Sequence, residues 1–358
     1  MIPLIENIPV TRTAHSRLTT VDFNNLDFGK YIADHMAVAD YANKQWGRPS
    51  IVPYGELPMT PAMLALHYGQ AVFEGMKAFR THDGDICIFR MYDHHKRLNR
   101  SLERMSMPPV SEELFVQSLH QLIELDAAWV PEDEGSSLYI RPVVFASENR
   151  LGVKISDQYK FVVMTSPVGP YFNKAIRVKV EEKFVRAAEG GTGYAKCAGN
   201  YGGAFYPTQL AREQGFDQVL WTDAREHKYI DESGAMNVMF VRNGKLLTPR
   251  LTTALLDGLT RASILTLARD QGIITEEIKI SIADLLEGFR DGSLTEAFGA
   301  GTAAVVAPIA IINIHGTDYA LPPVTEKSIQ MKMKKSLHDL RHGRVPDTHN
   351  WNYLIRLS

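Results

Sequence analysis

Along the chain, short apolar runs alternate with stretches in which apolar residues recur every three or four positions. Ile86–Phe89 is apolar between polar flanks and predicts a short strand. Beyond it, Leu98, Leu102 and Met105 share a helical period, and Asp93 stands where such a helix would open. Residues 112–129 repeat that period through Leu119, Leu122 and Leu125. Residues 137–145 and 159–165, rich in Val, Tyr, Ile and Phe, predict strands. Two prolines and a glycine in SPVGPYFNKA then break the pattern. This break divides the chain into a small N-terminal domain over 1–171, a linker over 172–187 and a larger domain over 188–358.

The second part opens on the glycine-rich run EGGTGYAKCAGNYGGAF. A helix is expected over 204–214, then strands over 218–222, 237–241 and 245–248. The last two meet across Asn243-Gly244, a dipeptide suited to the left-handed turn of a hairpin. LLDGLTRASILTLARDQG predicts a helix capped by Asp257, with Leu265 and Ala268 on its apolar face and Gly272 at its end. Strands precede helices in each part without strict alternation, so the expected class is α+β, with mixed sheets.

Composition narrows the class of function. The 358 residues suffice for two domains, and 45% hydrophobic with 22% charged residues is ordinary for a soluble globular protein. Lys and Arg number 39 against 41 Asp and Glu, so no charge excess points to nucleic acid or a membrane surface. Cys87 and Cys197 stand in unrelated contexts, which gives neither a disulfide framework nor a zinc set and favours a reducing compartment. The N-terminus, MIPLIENIPVTRTAHSRL, has no long apolar core and reads as no targeting segment. The apolar stretch 303–312 contains Pro308 and is half the length of a membrane helix, so a cytoplasmic enzyme for small molecules is expected.

Several residues offer the chemistry that pyridoxal phosphate requires: an amine for its aldehyde, an acid for its pyridine nitrogen, and donors for its phosphate and ring oxygen. Lys196 lies among glycines that would let a bulky group approach the backbone. Taken alone, a lysine is more often a solvated surface charge. Asp231 and Glu232 in YIDESGAMN are equivalent as acids, but neighbours on a strand face opposite ways, so one at most can serve. For an anion there are Arg97, the N–H groups at the start of the helix after Asp257, and the Thr302 hydroxyl. Arg97 equally suits a surface position beside Arg100 and Arg104. Tyr139 and Arg141, two apart in SLYIRPV, share a strand face and suit either a substrate carboxylate or a structural pair. His67, His94 and His95 lack zinc-ligand spacing, so no metal is expected, and the last two read as polar first-turn residues.

The segments HYGQAVFEGMKAFR, SLYIRPV, SPVGPYF, AKCAGNYGG, QVLWTD, IDESGAMN, LDGLTRASIL and EAFGAGTAAVV, in that order, resemble the branched-chain aminotransferases of the fold-type IV pyridoxal-phosphate enzymes. The resemblance implies that Lys196 is the Schiff-base lysine and Tyr201 the phenol beside the ring oxygen. It also implies that Glu232, not Asp231, faces the pyridine nitrogen. Arg97, the backbone of Leu259 and Thr260, and Thr302 would hold the phosphate. Tyr68, Phe73, Tyr139, Arg141, Tyr171, Thr302 and Ala303 would form the substrate pocket, with Tyr68 reaching across a homodimer interface. The substrates implied are leucine, isoleucine or valine with 2-oxoglutarate and glutamate. Two departures stand out: no cysteine pair follows Thr302, and Ala235 stands where some relatives have threonine.

A D-amino-acid aminotransferase or an aminodeoxychorismate lyase of the same fold group shares the lysine and glutamate. Gly299 to Ala304 loosely fits a dinucleotide-binding glycine pattern, but the β-branched, proline-containing VVAPIAIINI opens no helix after it. A non-catalytic binding protein would keep the cofactor residues without turnover.

Overall fold

The computed structural model describes residues 8–172 and 174–357 and forms two compact units. One unit takes the chain up to Tyr171, Ala195–Ala198 and everything from Asp339 on. The other takes Phe172–Tyr194 and Gly199–His338. Residues 1–7 of the N-terminal stretch read as lacking a targeting segment lie outside the described residues.

The first unit is built on an antiparallel sheet. Its strands run Asn352–Ile355, Ile86–Phe89, Met76–Arg80, Ser137–Ala146, Tyr159–Val168, His35–Ala42 and Gln45–Trp46, with Ser50–Pro53 and Ala71–Phe73 paired at the sides. The two long central strands pair along their whole length, from Ser137 against Val168 to Ala146 against Tyr159. Helices Met91–Arg104 and Glu112–Leu125 contribute Leu98, Leu102, Leu119 and Leu122 to one core with Ile86, Ile88, Ile140 and Phe161. Burying side chains of this size stabilises by roughly 1.5–3 kcal/mol each. Ser111 caps the second helix, its hydroxyl accepting from the Leu114 N–H at 3.1 Å. That helix stops at Leu125, and Ala127–Trp129 is a separate 3₁₀ turn.

The helix expected to open at Asp93 begins at Met91 instead. Arg90 precedes it in left-handed backbone (φ 57°), and Asp93 lies in its first turn, where its carboxylate takes the Arg90 Nε at 2.8 Å. His94 and His95 are buried, 2% and 8% exposed. His94 meets the Glu74 carboxylate and His95 the Val110 carbonyl, partners too distant in sequence to foresee.

The second unit has a mixed sheet in the order Ile230–Ser233, Gln218–Thr222, Ile176–Glu181, Val305–Ile314, Leu294–Gly301, Met236–Arg242, Lys245–Pro249 and Thr275–Ile278, with Thr317–Ala320 beside Val305–Ile314. Ile230–Ser233 also pairs with Met236–Arg242, which closes the first six strands of that order into a ring without a free edge. The α+β class expected from the pattern is the class observed. Residues 172–187, expected as a linker, contain the strand Ile176–Glu181, hydrogen-bonded in parallel on both sides. The prolines mark the end of one sheet, not a tether.

Asn243 and Gly244 turn the expected hairpin with φ of 52° and 72°. Helix Leu259–Asp270 has Gly258, not Asp257, at its N-cap, and Gly272 follows its end in left-handed backbone. A Cβ at 258 would overlap the Asn237 side chain, so close packing, not capping chemistry, selects that residue. Helix Ile282–Arg290 opens on a capping box between Ser281 and Asp284. Ser281→Ala is expected to lower stability by about 1 kcal/mol in chemical denaturation. No helix among the described residues is long and apolar enough to cross a membrane.

Candidate active site

In the first unit, a short edge strand and a buried helix hold Lys196. The Phe73 N–H donates to the Lys196 carbonyl at 3.0 Å, and the Lys196 N–H donates to the Ser101 hydroxyl at 2.9 Å. Val72 and Cys197 bridge beside them. Lys196 Nζ lies 4.9 Å from the centroid of the Phe73 ring, and the Arg141 guanidinium 4.7 Å from the same centroid. Arg141 Nη2 donates to the Tyr139 hydroxyl at 3.0 Å, as two residues of one strand face allow. Gly75 makes room for that phenol, because a Cβ there would overlap the Tyr139 hydroxyl. Tyr139 and Tyr171 both present edges to Phe28, with centroids 4.9 and 5.2 Å away. Phe28 had no sequence signal, since it acts only through rings more than a hundred residues away.

Arg97 is 4% exposed and not on the surface. Its Nε and Nη2 donate to the two oxygens of the fully buried Glu74 at 2.7 and 2.8 Å. His94 Nδ1 meets the same carboxylate at 2.7 Å. Burial pushes the Glu74 carboxyl upward, but the Arg97 charge and hydrogen bonds, helped by His94, hold it well below the usual range. Burial holds His94 below its ordinary value despite Glu74, so the imidazole is neutral at pH 7 and donates from Nδ1. The His94–Glu74 contact is therefore a hydrogen bond and not an ion pair. Tyr68 ends the Leu64–Tyr68 helix, 39% exposed, and its hydroxyl donates to the Leu151 carbonyl at 2.7 Å.

In the second unit, Glu232 is 2% exposed on the strand Ile230–Ser233. Its Oε1 accepts from the Leu256 N–H at 2.8 Å and from Asn237 Nδ2 at 3.3 Å, while Oε2 stands 3.0 Å from Arg186 Nε. Arg186 also donates to the carbonyls of Gly193 and Ala254. Asp231 lines a different space, a cavity of about 440 Å³ shared with Asp223, Arg225, Arg250 and Lys279. Burial there, reinforced by Glu232 and Asp223, pushes its carboxyl up to about 7. Leu259 and Thr260 are the buried first residues of a helix with no side-chain cap. Tyr201 sits in the Ala198–Gly202 turn and is half-buried. Thr302 and Ala303 form the turn after Leu294–Gly301, which closes on Val305 at φ 60°, a costly conformation for a β-branched residue. Among the described residues, no group of His, Cys, Asp and Glu could hold a metal ion.

The sequence profile described as Amino-transferase class IV matches residues 71–312. Branched-chain-amino-acid transaminase 1 of Bacillus subtilis (strain 168) is 47% identical over 335 residues, covering 92% of this chain and 94% of the relative. The branched-chain-amino-acid aminotransferase of Mycolicibacterium smegmatis is 40% identical over 336 residues, 91% of each protein. Among solved structures, the Escherichia coli branched-chain amino acid aminotransferase superposes with a TM-score of 0.70 at 26% identity, covering 88% of this chain and 98% of that one. The Thermoproteus uzoniensis branched-chain aminotransferase, solved with norvaline, gives 0.74 at 25% identity, covering 89% and 99%.

The chain belongs to the class IV amino-transferases, and within them to the branched-chain-amino-acid transaminases, as its motifs implied. It is a pyridoxal-phosphate enzyme, and its donor set fits that group. A lysine amine suits the aldehyde and a buried carboxylate the ring nitrogen. A guanidinium and an uncapped helix start suit the phosphate.

Proposed function

We propose that the protein moves the amino group of L-leucine, L-isoleucine or L-valine to 2-oxoglutarate, giving a branched 2-oxo acid and L-glutamate. One observation carries this reading. Arg141 lies against the rings of Phe73 and Tyr139, and its Nε is buried without a hydrogen-bond partner. A buried donor of that kind calls for an acceptor, and a γ-carboxylate supplies one. The same rings offer an apolar wall to a branched side chain.

Bound pyridoxal phosphate supplies an electron sink for the charge that develops when a Cα proton leaves. Lys196 Nζ is the amine that would hold the cofactor's aldehyde, and as a free base it would take up the Cα proton of the substrate. Glu232, held by Leu256 and Asn237, keeps the proton on the ring nitrogen. Tyr201 orients the ring oxygen. Arg97, the N–H groups of Leu259 and Thr260, and the Thr302 hydroxyl bind the phosphate. Tyr68, Phe73, Tyr139, Arg141, Tyr171 and the backbone of Thr302 and Ala303 bind the substrate.

The active form in this reading is a cytoplasmic homodimer in which Tyr68 serves the partner's pocket. Leu66 and Tyr68 are exposed, as are Leu151, Val153 and Ile155, and the Tyr68 hydroxyl's bond to the Leu151 carbonyl brings these two apolar segments together, as a contact surface requires. The two cysteines are free and buried.

Steady-state kinetics test the reading. Turnover is expected with the three branched donors and 2-oxoglutarate, and not with D-alanine or aminodeoxychorismate, whose preference would sink it. Arg141→Gln removes charge-assisted hydrogen bonds, so KM for 2-oxoglutarate should rise about 10- to 100-fold, while KM for leucine moves far less. Equal effects on both substrates would remove Arg141 from the γ-carboxylate.

A further inference from the structure

Ser101 is an odd residue for its place. It sits in the interior of the Met91–Arg104 helix, 1% exposed, between Leu98 and Leu102, which are fully buried. Serine is a poorer helix former than alanine, and a buried hydroxyl is unfavourable unless it finds a partner. The partner here lies 95 residues away: the backbone N–H of Lys196, at 2.9 Å. Lys196 stands in a glycine-rich segment outside any regular helix or strand, and its backbone N–H takes this side-chain hydroxyl as acceptor.

The contacts form a closed circuit within one unit. Phe73 N–H holds the Lys196 carbonyl, and Ser101 holds the Lys196 N–H. Ser101 stands four residues after Arg97, one helical turn on the same face. Arg97 is fixed by both oxygens of Glu74, and Glu74 is the neighbour of Phe73. The peptide that bears the amine and the guanidinium read as a phosphate ligand are thus set by one helix face and one strand end.

We propose that Ser101 is a positioning residue for the reaction. It fixes the Lys196 peptide against the helix that carries Arg97, and so sets where Nζ stands relative to the bound phosphate. The proposal rests on the reading of Lys196 as the cofactor lysine and adds to it a residue that touches neither cofactor nor substrate. Displacing a reacting amine by a fraction of an ångström lowers turnover far more than substrate affinity.

The test uses the holoenzyme with Ser101→Ala and the nearly isosteric Ser101→Cys, whose sulfur is a weak acceptor. Amide hydrogen exchange at residue 196 should speed up at least about ten-fold in the alanine variant, with cysteine between it and wild type. With cofactor saturating, kcat should fall about 10- to 100-fold while KM stays within about three-fold. The visible band of the bound cofactor should shift its pH midpoint, which a change in stability alone would not do. If kcat and that midpoint return to wild type once cofactor is saturating, Ser101 is merely structural and the proposal is overturned. Unchanged exchange at residue 196 overturns it as well. Should the alanine variant not fold, the cysteine variant carries the same three readouts. Lys196→Ala run beside them separates the two claims. A visible band that survives it defeats the lysine assignment itself, whereas a normal Ser101→Ala enzyme defeats only the positioning role.

Discussion

Lys196→Ala should yield a folded protein with no visible cofactor band and transamination reduced by at least about 10⁴-fold, because in the proposed reaction one amine serves both as nucleophile and as general base. The geometry explains why the fold should survive. Two contacts that seat this residue are made by its backbone, with Phe73 and Ser101, and alanine keeps both. The residue is only half-buried, and its ammonium lies over the Phe73 ring. Removing it loses that cation–π contact, worth about 0.5–1 kcal/mol, and leaves both backbone hydrogen bonds in place. Circular dichroism and thermal melting of the apoenzymes should therefore match closely, while absorbance of the reconstituted proteins differs. A variant that keeps wild-type turnover would show that another amine does this work and would dismantle the mechanism. A variant that fails to fold would contradict the backbone account of how the residue is held.

Local pattern carried much of the architecture into view. Gln218–Thr222 and Ile86–Phe89 were legible to the residue, and the Asn243-Gly244 hairpin followed from turn chemistry alone. These are features a chain segment decides for itself. What escaped were features that depend on a second segment. The helix at Met91 starts on Arg90 in left-handed backbone, where the carboxylate at 93 had looked like a cap. The glycine at the N-cap position 258 is selected by the bulk of Asn237, 21 positions earlier. Ile176–Glu181, within the stretch expected as a linker, is a strand because the parallel neighbours Gln218–Thr222 and Val305–Ile314 lie on either side. Ala195–Ala198 and the C-terminal strand Asn352–Ile355 return to the first unit through pairings with Val72 and Ile86–Phe89. Non-local pairings of that kind leave no periodic trace.

The candidate site shows the same division. Strand alternation placed Tyr139 and Arg141 on one face and separated Asp231 from Glu232, and both hold. No local rule could show that Arg97, one cation among several on a charged helix, is buried against Glu74, or that His94 shares that carboxylate. The motif FEGMK marked Glu74 only as part of a signature. Its physical role, a buried counter-charge, emerges when the helix is laid over the strand end.

That role makes Glu74→Gln the substitution with the largest expected effect on stability. Glutamine keeps the shape but leaves the 4%-exposed Arg97 guanidinium facing a neutral amide. Breaking a buried pair from one side typically costs about 3–5 kcal/mol, since the remaining charge stays desolvated. The pH dependence identifies the carboxylate. The Glu74 carboxyl lies below its ordinary 4.5 in the fold, so its stabilisation is complete above about that pH and fades as pH falls through its folded value. His94, held below its ordinary 6.5 by burial, adds a loss of stability that begins as pH drops under that value, because the unfolded chain takes up the proton first. Wild type should therefore weaken in two stages on acidification, and the glutamine variant should lack the second. Urea titrations from pH 8 to pH 3 would show the gap between the two proteins widest at neutral pH and narrowing below about 4.5. The variant should also bind the cofactor more weakly, because Arg97 is no longer aimed by two charge-assisted hydrogen bonds. A difference under about 0.5 kcal/mol at pH 7, or one that does not change with acidity, would mean that the pair is a by-product of packing and that Arg97 holds its position without it.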